Sequence, residues 1–408
     1  MGAYATLLAA LIALLAGLAA GKAWERYKLV DGRIVDRRRQ RESPHYLLGL
    51  NFLGSNQTDL AIEELTKAAA LLGDALEIQV ILGNLCREKG QVGRAISIHQ
   101  ALLQRPSLRK LEQAHVLLCL GLDFKRGGFV DRALETFTEV LRLDPNNPHA
   151  LANLERLHAE QHQWREAYDI RRSLAAAAGP DQQDRHQAIL AFLEHALGVD
   201  ALKRGDTADA EARFRAAIDL DTRVVPAYLD LGDIYLQRGG TADAITQWER
   251  AIGAVPERAY LAFDRLEAAY AGSGGADRFV ALCRQLIDAN PQDWRTRLAL
   301  SRHLAAKDHS RDALDLLSDA LAQNPHALTL HQAIWQVLSR LGFPRDLVER
   351  YMEQTRHAVF YRDPHVCLRC RYRTDELLWQ CPHCHEWNAL IEERIAPAKD
   401  EASEGVFT

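Results

Sequence analysis

The sequence predicts an all-α solenoid of stacked helical hairpins, preceded by a membrane-spanning helix and closed by a small metal knuckle. Three observations carry that prediction. Small residues recur at a period near 34, an uncharged apolar stretch opens the chain, and two Cys-x-x-Cys pairs stand near its end.

Composition sets the bounds. At 408 residues the chain exceeds a usual single globular core, but a solenoid escapes that limit because each unit packs only on its neighbours. Apolar residues make up 48% and charged residues 26%, which excludes a wholly disordered chain. Aromatics at 7%, with few Gly and Pro, favour helices over strands. A net charge of -5 gives no global reason to expect nucleic acid as the partner.

The repeat is read from alanines: Ala61, Ala95, Ala133, Ala167, Ala210 and Ala244 are separated by 34, 38, 34, 43 and 34 residues. Ala313 follows 69 later, two periods plus one. Gly49, Gly83, Gly121, Gly198 and Gly232 each precede one of these alanines by twelve positions. Prolines close units at Pro145, Pro256, Pro291 and Pro325. A 34-residue period with small residues at set offsets is the tetratricopeptide signature. Its physical basis is helix packing: Gly or Ala at the crossing point lets two antiparallel helices approach, while large residues fill the adjacent holes.

The unit around Gly232 is the clearest, with Tyr228, Leu231, Tyr235, Ala244, Trp248, Ala251 and Pro256; the Gly121 unit, with Phe124, Phe137 and Pro145, is close behind. The Ala167 unit is degenerate, having Glu155 where glycine belongs. Nine extra residues between Ala167 and Ala210 fall near Ala175-Ala176-Ala177-Ala178-Gly179-Pro180, where an extended loop or hinge is expected. Residues 43–357 then hold eight or nine helical hairpins, whose concave face, lined by first helices, suits a peptide or protein. Binding protein is all that the array itself implies.

Residues 1–21 carry no charged side chain. About 20 helical residues span the hydrocarbon core of a bilayer. No Lys or Arg precedes the apolar run, as a cleaved signal peptide would require. Directly after it come Lys22, Arg26, Lys28, Arg33, Arg37, Arg38, Arg39 and Arg41. By the positive-inside rule a retained anchor with the bulk of the chain in the cytoplasm is expected, residues 22–42 forming a basic juxtamembrane linker. The same cluster suits anionic headgroups.

Of seven cysteines, Cys86, Cys119 and Cys283 stand singly in helical patterns and read as small buried thiols. Cys367-Leu368-Arg369-Cys370 and Cys381-Pro382-His383-Cys384 are two Cys-x-x-Cys pairs ten residues apart. Together they offer four thiolates to one tetrahedral ion, and spacing does not choose between zinc and iron. The short gap suggests a minimal pair of knuckles with one tight strand-turn-strand between them. Tyr372, Leu378, Trp379 and Trp387 are expected to shell the site and pack on the final helix pair. A closed four-thiolate site leaves no position for hydrolytic catalysis. His365, His383 and His385 read as neighbours of the site rather than ligands.

Other signals carry less. His158 and His162 stand one helical turn apart without a third ligand and read as a solvated helix face. Gly272-Ser273-Gly274-Gly275 lacks the Lys-Ser/Thr of a phosphate loop and reads as a turn. No nucleophile-base motif is present, and the chain reads as a scaffold rather than an enzyme.

Anchor, basic flank, repeat array and terminal knuckle pair, in that order, resemble the lipopolysaccharide assembly protein B family of Gram-negative bacteria. The specific residues are Cys367-Leu368-Arg369-Cys370, Leu378-Trp379-Gln380-Cys381-Pro382-His383-Cys384 and Trp387, with Arg94-Ala95-Ile96-Ser97-Ile98-His99-Gln100 in the second repeat. Where the family has Gly-Phe after the first knuckle, this chain has Arg371-Tyr372, and a left-handed turn there is strained without glycine.

The resemblance implies a rubredoxin-like domain at 358–394 with iron or zinc on Cys367, Cys370, Cys381 and Cys384, ahead of a flexible tail at 395–408. It further implies a non-enzymatic adaptor at the inner membrane, single-pass and mostly cytoplasmic. Such an adaptor promotes proteolysis of the deacetylase that commits material to lipid A, acting with a membrane-bound AAA+ protease. It also gathers other lipopolysaccharide synthesis or transport proteins, and a homodimer is compatible with this role.

Two rival functions stand beside it. A rubredoxin-like electron carrier would need a reductase partner. A zinc-ribbon nucleic-acid binder would use Arg369, Arg371 and Arg373, against the acidity of the whole chain.

Overall fold

The computed structural model describes residues 43–72, 75–272, 275–356 and 364–393, with positions 17, 21 and 22. The expected anchor and basic linker otherwise lie outside the described residues, as does the tail. Among the described residues no helix is long and apolar enough to cross a membrane.

The chain divides into two compact units, Met1–Leu157 and His158–Thr408. The first holds α1 (Pro44–Gly54), α2 (Thr58–Leu72), α3 (Leu76–Glu88), α4 (Val92–Leu103), α5 (Lys110–Arg126) and α6 (Val130–Leu143), and α7 (Pro148–Glu160) crosses the division. The second continues with α8 (Trp164–Ala177), α9 (Pro180–Lys203), α10 (Thr207–Leu220), α11 (Val225–Gln237) and α12 (Thr241–Ala254). A 3-10 turn at Pro256–Leu261 leads to α13 (Phe263–Gly272), α14 (Ala276–Ala289), α15 (Trp294–Ala306), α16 (Ser310–Gln323), α17 (Leu328–Arg340) and α18 (Arg345–Arg356). The all-α repeat solenoid expected from the period is therefore present. Part of the Gly272–Gly275 stretch lies outside the described residues, between α13 and α14.

Local chemistry sets the helix starts. Pro44 and Pro180 occupy the first helical positions of α1 and α9, where a missing N–H costs nothing. Asp206 caps α10 by accepting from the Asp209 amide at 3.0 Å, and Asp293 caps α15 through the Arg295 amide at 3.0 Å.

Packing follows the glycine wedge. A Cβ on Gly49, Gly83, Gly121, Gly198 or Gly232 would fall within 2.3–2.7 Å of the side chain sixteen residues on, which is Leu65, His99, Phe137, Phe214 or Trp248. Each of these five is fully buried. The wedge is the contact at which the two helices of a hairpin close, and its large member fills the core of the unit.

In the first unit one wedge is polar. His99 Nδ1 lies 2.5 Å from Asp123 Oδ2, and Arg87 donates to Asp123 Oδ1 at 2.9 Å. His99 and Asp123 are wholly buried, so the motif around Ala95 supports an internal ion network. Cys86, Cys119 and Cys283 are buried as expected.

In the second unit the first helices of successive hairpins are joined by polar rungs. His195 on α9 meets Asp230 on α11 at 2.8 Å, Arg265 on α13 donates to Asp233 on α11 at 2.8 Å, and His303 on α15 meets Glu267 on α13 at 2.7 Å.

Two expectations are corrected. The extra residues before Ala210 form no extended loop: α8 runs to Ala177, only Ala178 and Gly179 lie outside helix, and α9 restarts at Pro180 for 24 residues. Alanines favour helix, and Pro180 at N1 starts one rather than ending one. His158 and His162 do not share a helix face, because α7 ends at Glu160 and His162 takes a φ of 57°.

Candidate metal centre

After α18 the chain forms a three-stranded antiparallel sheet in the order β2-β1-β3, from β1 (His365–Cys367), β2 (Arg373–Thr374) and β3 (Leu390–Glu392). His365 pairs with Thr374 on one side and Glu392 on the other. The segment between the cysteine pairs is thus not one hairpin, as expected. Each Cys-x-x-Cys instead sits at the tip of its own: β1–β2 encloses the first, and an isolated Gln380–Trp387 bridge encloses the second.

The two tips are built alike. Cys367 N–H donates to Tyr372 O at 2.9 Å and Arg371 N–H to Cys367 O at 2.9 Å. Cys381 N–H donates to Glu386 O at 2.9 Å and His385 N–H to Cys381 O at 2.8 Å. The residue after each second cysteine is left-handed, Arg371 at φ 63° and His385 at φ 58°. The strain expected at Arg371 is present, since a side chain with a Cβ disfavours that region.

The turns bring all four Sγ atoms of Cys367, Cys370, Cys381 and Cys384 within 4.8 Å of one another. Cys367–Cys384 and Cys370–Cys381 each measure 3.6 Å. Metal–sulfur bonds of about 2.3 Å in a tetrahedron require edges near 3.8 Å, so the donor set fits one ion. Burial pushes the Cys384 thiol up to about 12 and raises Cys370. Cys367 feels the same burial, but the amides of Cys370 and Arg369 draw it down to about 7. A cation would hold the remaining sulfurs as thiolates, so loading releases protons.

The flanking residues are engaged elsewhere. His385 lies 3.1 Å from Glu160, and the His383 ring stacks on Tyr372 with centroids 6.3 Å apart. Arg369 pairs with Glu386, while Arg371 and Arg373 pair with Glu393 at 2.7 and 2.8 Å. The arginines on which the nucleic-acid reading rested are thus charge-compensated within the knuckle.

Among the described residues the knuckle's ring and ion-pair contacts fall on α7, α8, α9, α15 and the 3-10 turn, not on the final helix pair as expected. Trp387 stacks on Phe192 of α9 at 5.6 Å and an interplanar angle of 17°, and meets Trp164 of α8 edge-on at 6.2 Å. Trp379 lies 6.0 Å from Phe192, beneath the Arg258 guanidinium at 4.9 Å. Arg185 on α9 donates to Glu386 at 2.8 Å, Arg258 to Leu390 O at 3.1 Å, and Arg295 on α15 pairs with Glu392. Two indoles and a row of glutamates find aromatic and cationic partners on these helices, which decides the docking. Tyr372 turns to His383 instead. None of these repeat-side residues was singled out from sequence, since none belongs to a motif.

A cavity of about 240 Å³ opens beside this contact, between α13 and α15, walled by Tyr260, Phe263 and Leu298 with Asp264 and Arg302 at its rim. Arg295 lines it too, stacked over Tyr260 at 4.4 Å while holding Glu392.

Residues 365–392 match a rubredoxin metal binding domain, and 195–240 and 229–294 match the tetratricopeptide repeat. Along most of its length the chain is similar to Lipopolysaccharide assembly protein B. It is 23% identical to that protein of Escherichia coli (strain K12) over 352 residues, 86% of this chain and 89% of the other. The Haemophilus influenzae protein of that name is 24% identical over 393 residues, 93% and 97% of the two chains. A barley protein named as a probable UDP-N-acetylglucosamine--peptide N-acetylglucosaminyltransferase is 24% identical over 41% of this chain and 17% of its own. Among solved structures, a tetratricopeptide repeat protein from Parabacteroides merdae is 16% identical, covering 64% of this chain and 98% of its own, with a TM-score of 0.32.

Proposed function

We propose that the chain is a membrane-anchored adaptor that restrains lipopolysaccharide synthesis by delivering the committing deacetylase of lipid A to a membrane-bound AAA+ protease. The observation that carries this reading is the similarity to Lipopolysaccharide assembly protein B along most of both chains. Residues 1–21 serve as a single inner-membrane span and 22–42 as its basic cytoplasmic flank. The array at 43–357 holds the client, and the knuckle at 358–394 carries one iron or zinc ion on Cys367, Cys370, Cys381 and Cys384.

In this reading the ion is structural. So small a knuckle has little core of its own, and the metal supplies most of its folding free energy. A loaded knuckle presents Trp379 and Trp387 to Phe192 and clamps α8, α9 and α15 together. The cavity between α13 and α15 lies beside this contact, sharing Arg295 with it, a setting suited to an extended client segment.

Affinity capture of the full-length protein from detergent-solubilised membranes tests the reading. The protease and the deacetylase should copurify, and should be lost when the array is replaced by an unrelated solenoid. Capture of neither would contradict it.

A further inference from the structure

The first helix of a solenoid ordinarily carries a polar outer face, because no earlier repeat covers it. α1 does not. Its eleven residues include no Asp, Glu, Lys or Arg. Gly49 is its buried contact, wedged on Leu65 of α2. On the outer side Leu47, Leu50 and Leu53, each three residues from the next, are 54%, 36% and 40% exposed, and Leu48 is 44% exposed. Helical residues three apart share a face. Asn51 is the one exposed polar side chain on α1, whose His45 and Tyr46 are half-buried. Leu60, on the following helix, is exposed as well.

We propose that this leucine face of α1 lies in the interfacial zone of an anionic bilayer, so that the first hairpin is seated on the membrane rather than hanging from it. The proposal rests on the reading of residues 1–21 as a membrane anchor. Chain continuity and charge choose the occupant. The segment between that stretch and α1 carries eight Lys or Arg against three Asp or Glu from 22 to 41, with Trp24 and Tyr27. Basic residues are drawn to anionic headgroups, and Trp and Tyr favour the same layer. The segment joins α1 directly, so α1 is held within reach of the lipid surface. An apolar helix face seats in that layer about 5–10 Å deep, at the headgroup–acyl boundary. A second copy would bury the same leucines but gives the basic run no counter-charge.

The test uses the full-length protein in nanodiscs of phosphatidylethanolamine and phosphatidylglycerol. The photo-crosslinker p-benzoylphenylalanine replaces Leu47, Leu50 or Leu53 singly, and Leu111 in a control. Leu111 lies on α5 and is 71% exposed. All four sites face solvent, so folding is unaffected, which protease resistance of the array checks. Mass spectrometry should find lipid adducts at the three α1 sites at about tenfold the level at Leu111. Cross-links instead to a second copy, or to residues 22–42 of the same chain, would overturn the proposal while leaving the anchor in place. Equal, low lipid adducts at all four sites would overturn it too. If the protein fails to enter nanodiscs at all, both this proposal and the anchor reading fall.

Discussion

A Cβ on Gly232 would stand 2.3 Å from Nε1 of Trp248, the largest fully buried side chain among the described residues, whose N–H donates to Leu229 O at 3.2 Å. This pair closes the α11–α12 hairpin. Alanine at 232 gains about 0.5–1 kcal/mol of helix propensity but drives a methyl into the indole. Overpacking of this kind costs about 1–3 kcal/mol and should win. Denaturant unfolding of Gly232→Ala should therefore show lower stability, and Gly232→Ala with Trp248→Leu should lose less than the two single changes summed. Simple additivity would mean that the wedge is not tight.

That wedge is also the part of the fold most legible in sequence. Glycine and its partner are sixteen residues apart, so the pattern is local and repeats. The four thiolates are legible for the same reason. What could not be read is docking. Phe192 and Trp387 are far apart in sequence, and Phe192 belongs to no motif. The loop expected near Ala175–Pro180 is nearly all helix because Gly179-Pro180, which breaks a helix in most contexts, here starts one.

Arg371 takes a φ of 63° where glycine would be unstrained. Arg371→Gly should relieve about 1 kcal/mol of backbone strain. The lost pair with Glu393 is exposed and weak, and Arg373 still holds that carboxylate. The metal-release midpoint on titration with a chelator should move to higher chelator concentration. A shift the other way would show that the ion pair outweighs the strain.

Metal and docking can be separated. Cys381→Ser should lose most of the bound ion by elemental analysis and leave the region after residue 360 open to protease. Phe192→Ala should keep the ion yet free the knuckle, so that proteolysis rises without metal loss. Full retention of metal in Cys381→Ser would exclude this four-cysteine site, and protection in Phe192→Ala would exclude the aromatic dock.

His186 is buried on α9, and burial first, then Arg171 and Arg185, hold its imidazole below the usual value. The unfolded chain binds the proton more readily, so stability is complete above about pH 6.5 and is lost as pH falls through that value toward the lower folded pKa. Thermal unfolding midpoints should drop from about pH 7.5 to 5.5, and His186→Gln should drop less. Parallel curves would show that His186 does not contribute.

On the proposed reading the chain places a client beside a membrane protease, so its contribution is local concentration. Deacetylase half-life in cells, compared at matched abundance between the full-length protein and a variant lacking residues 1–21, tests that reading. The truncation removes no described helix of the array, so client binding in solution should persist. A longer deacetylase half-life is expected in the truncated strain, restored by an unrelated spanning helix of the same orientation. An unchanged half-life in the truncated strain would contradict it.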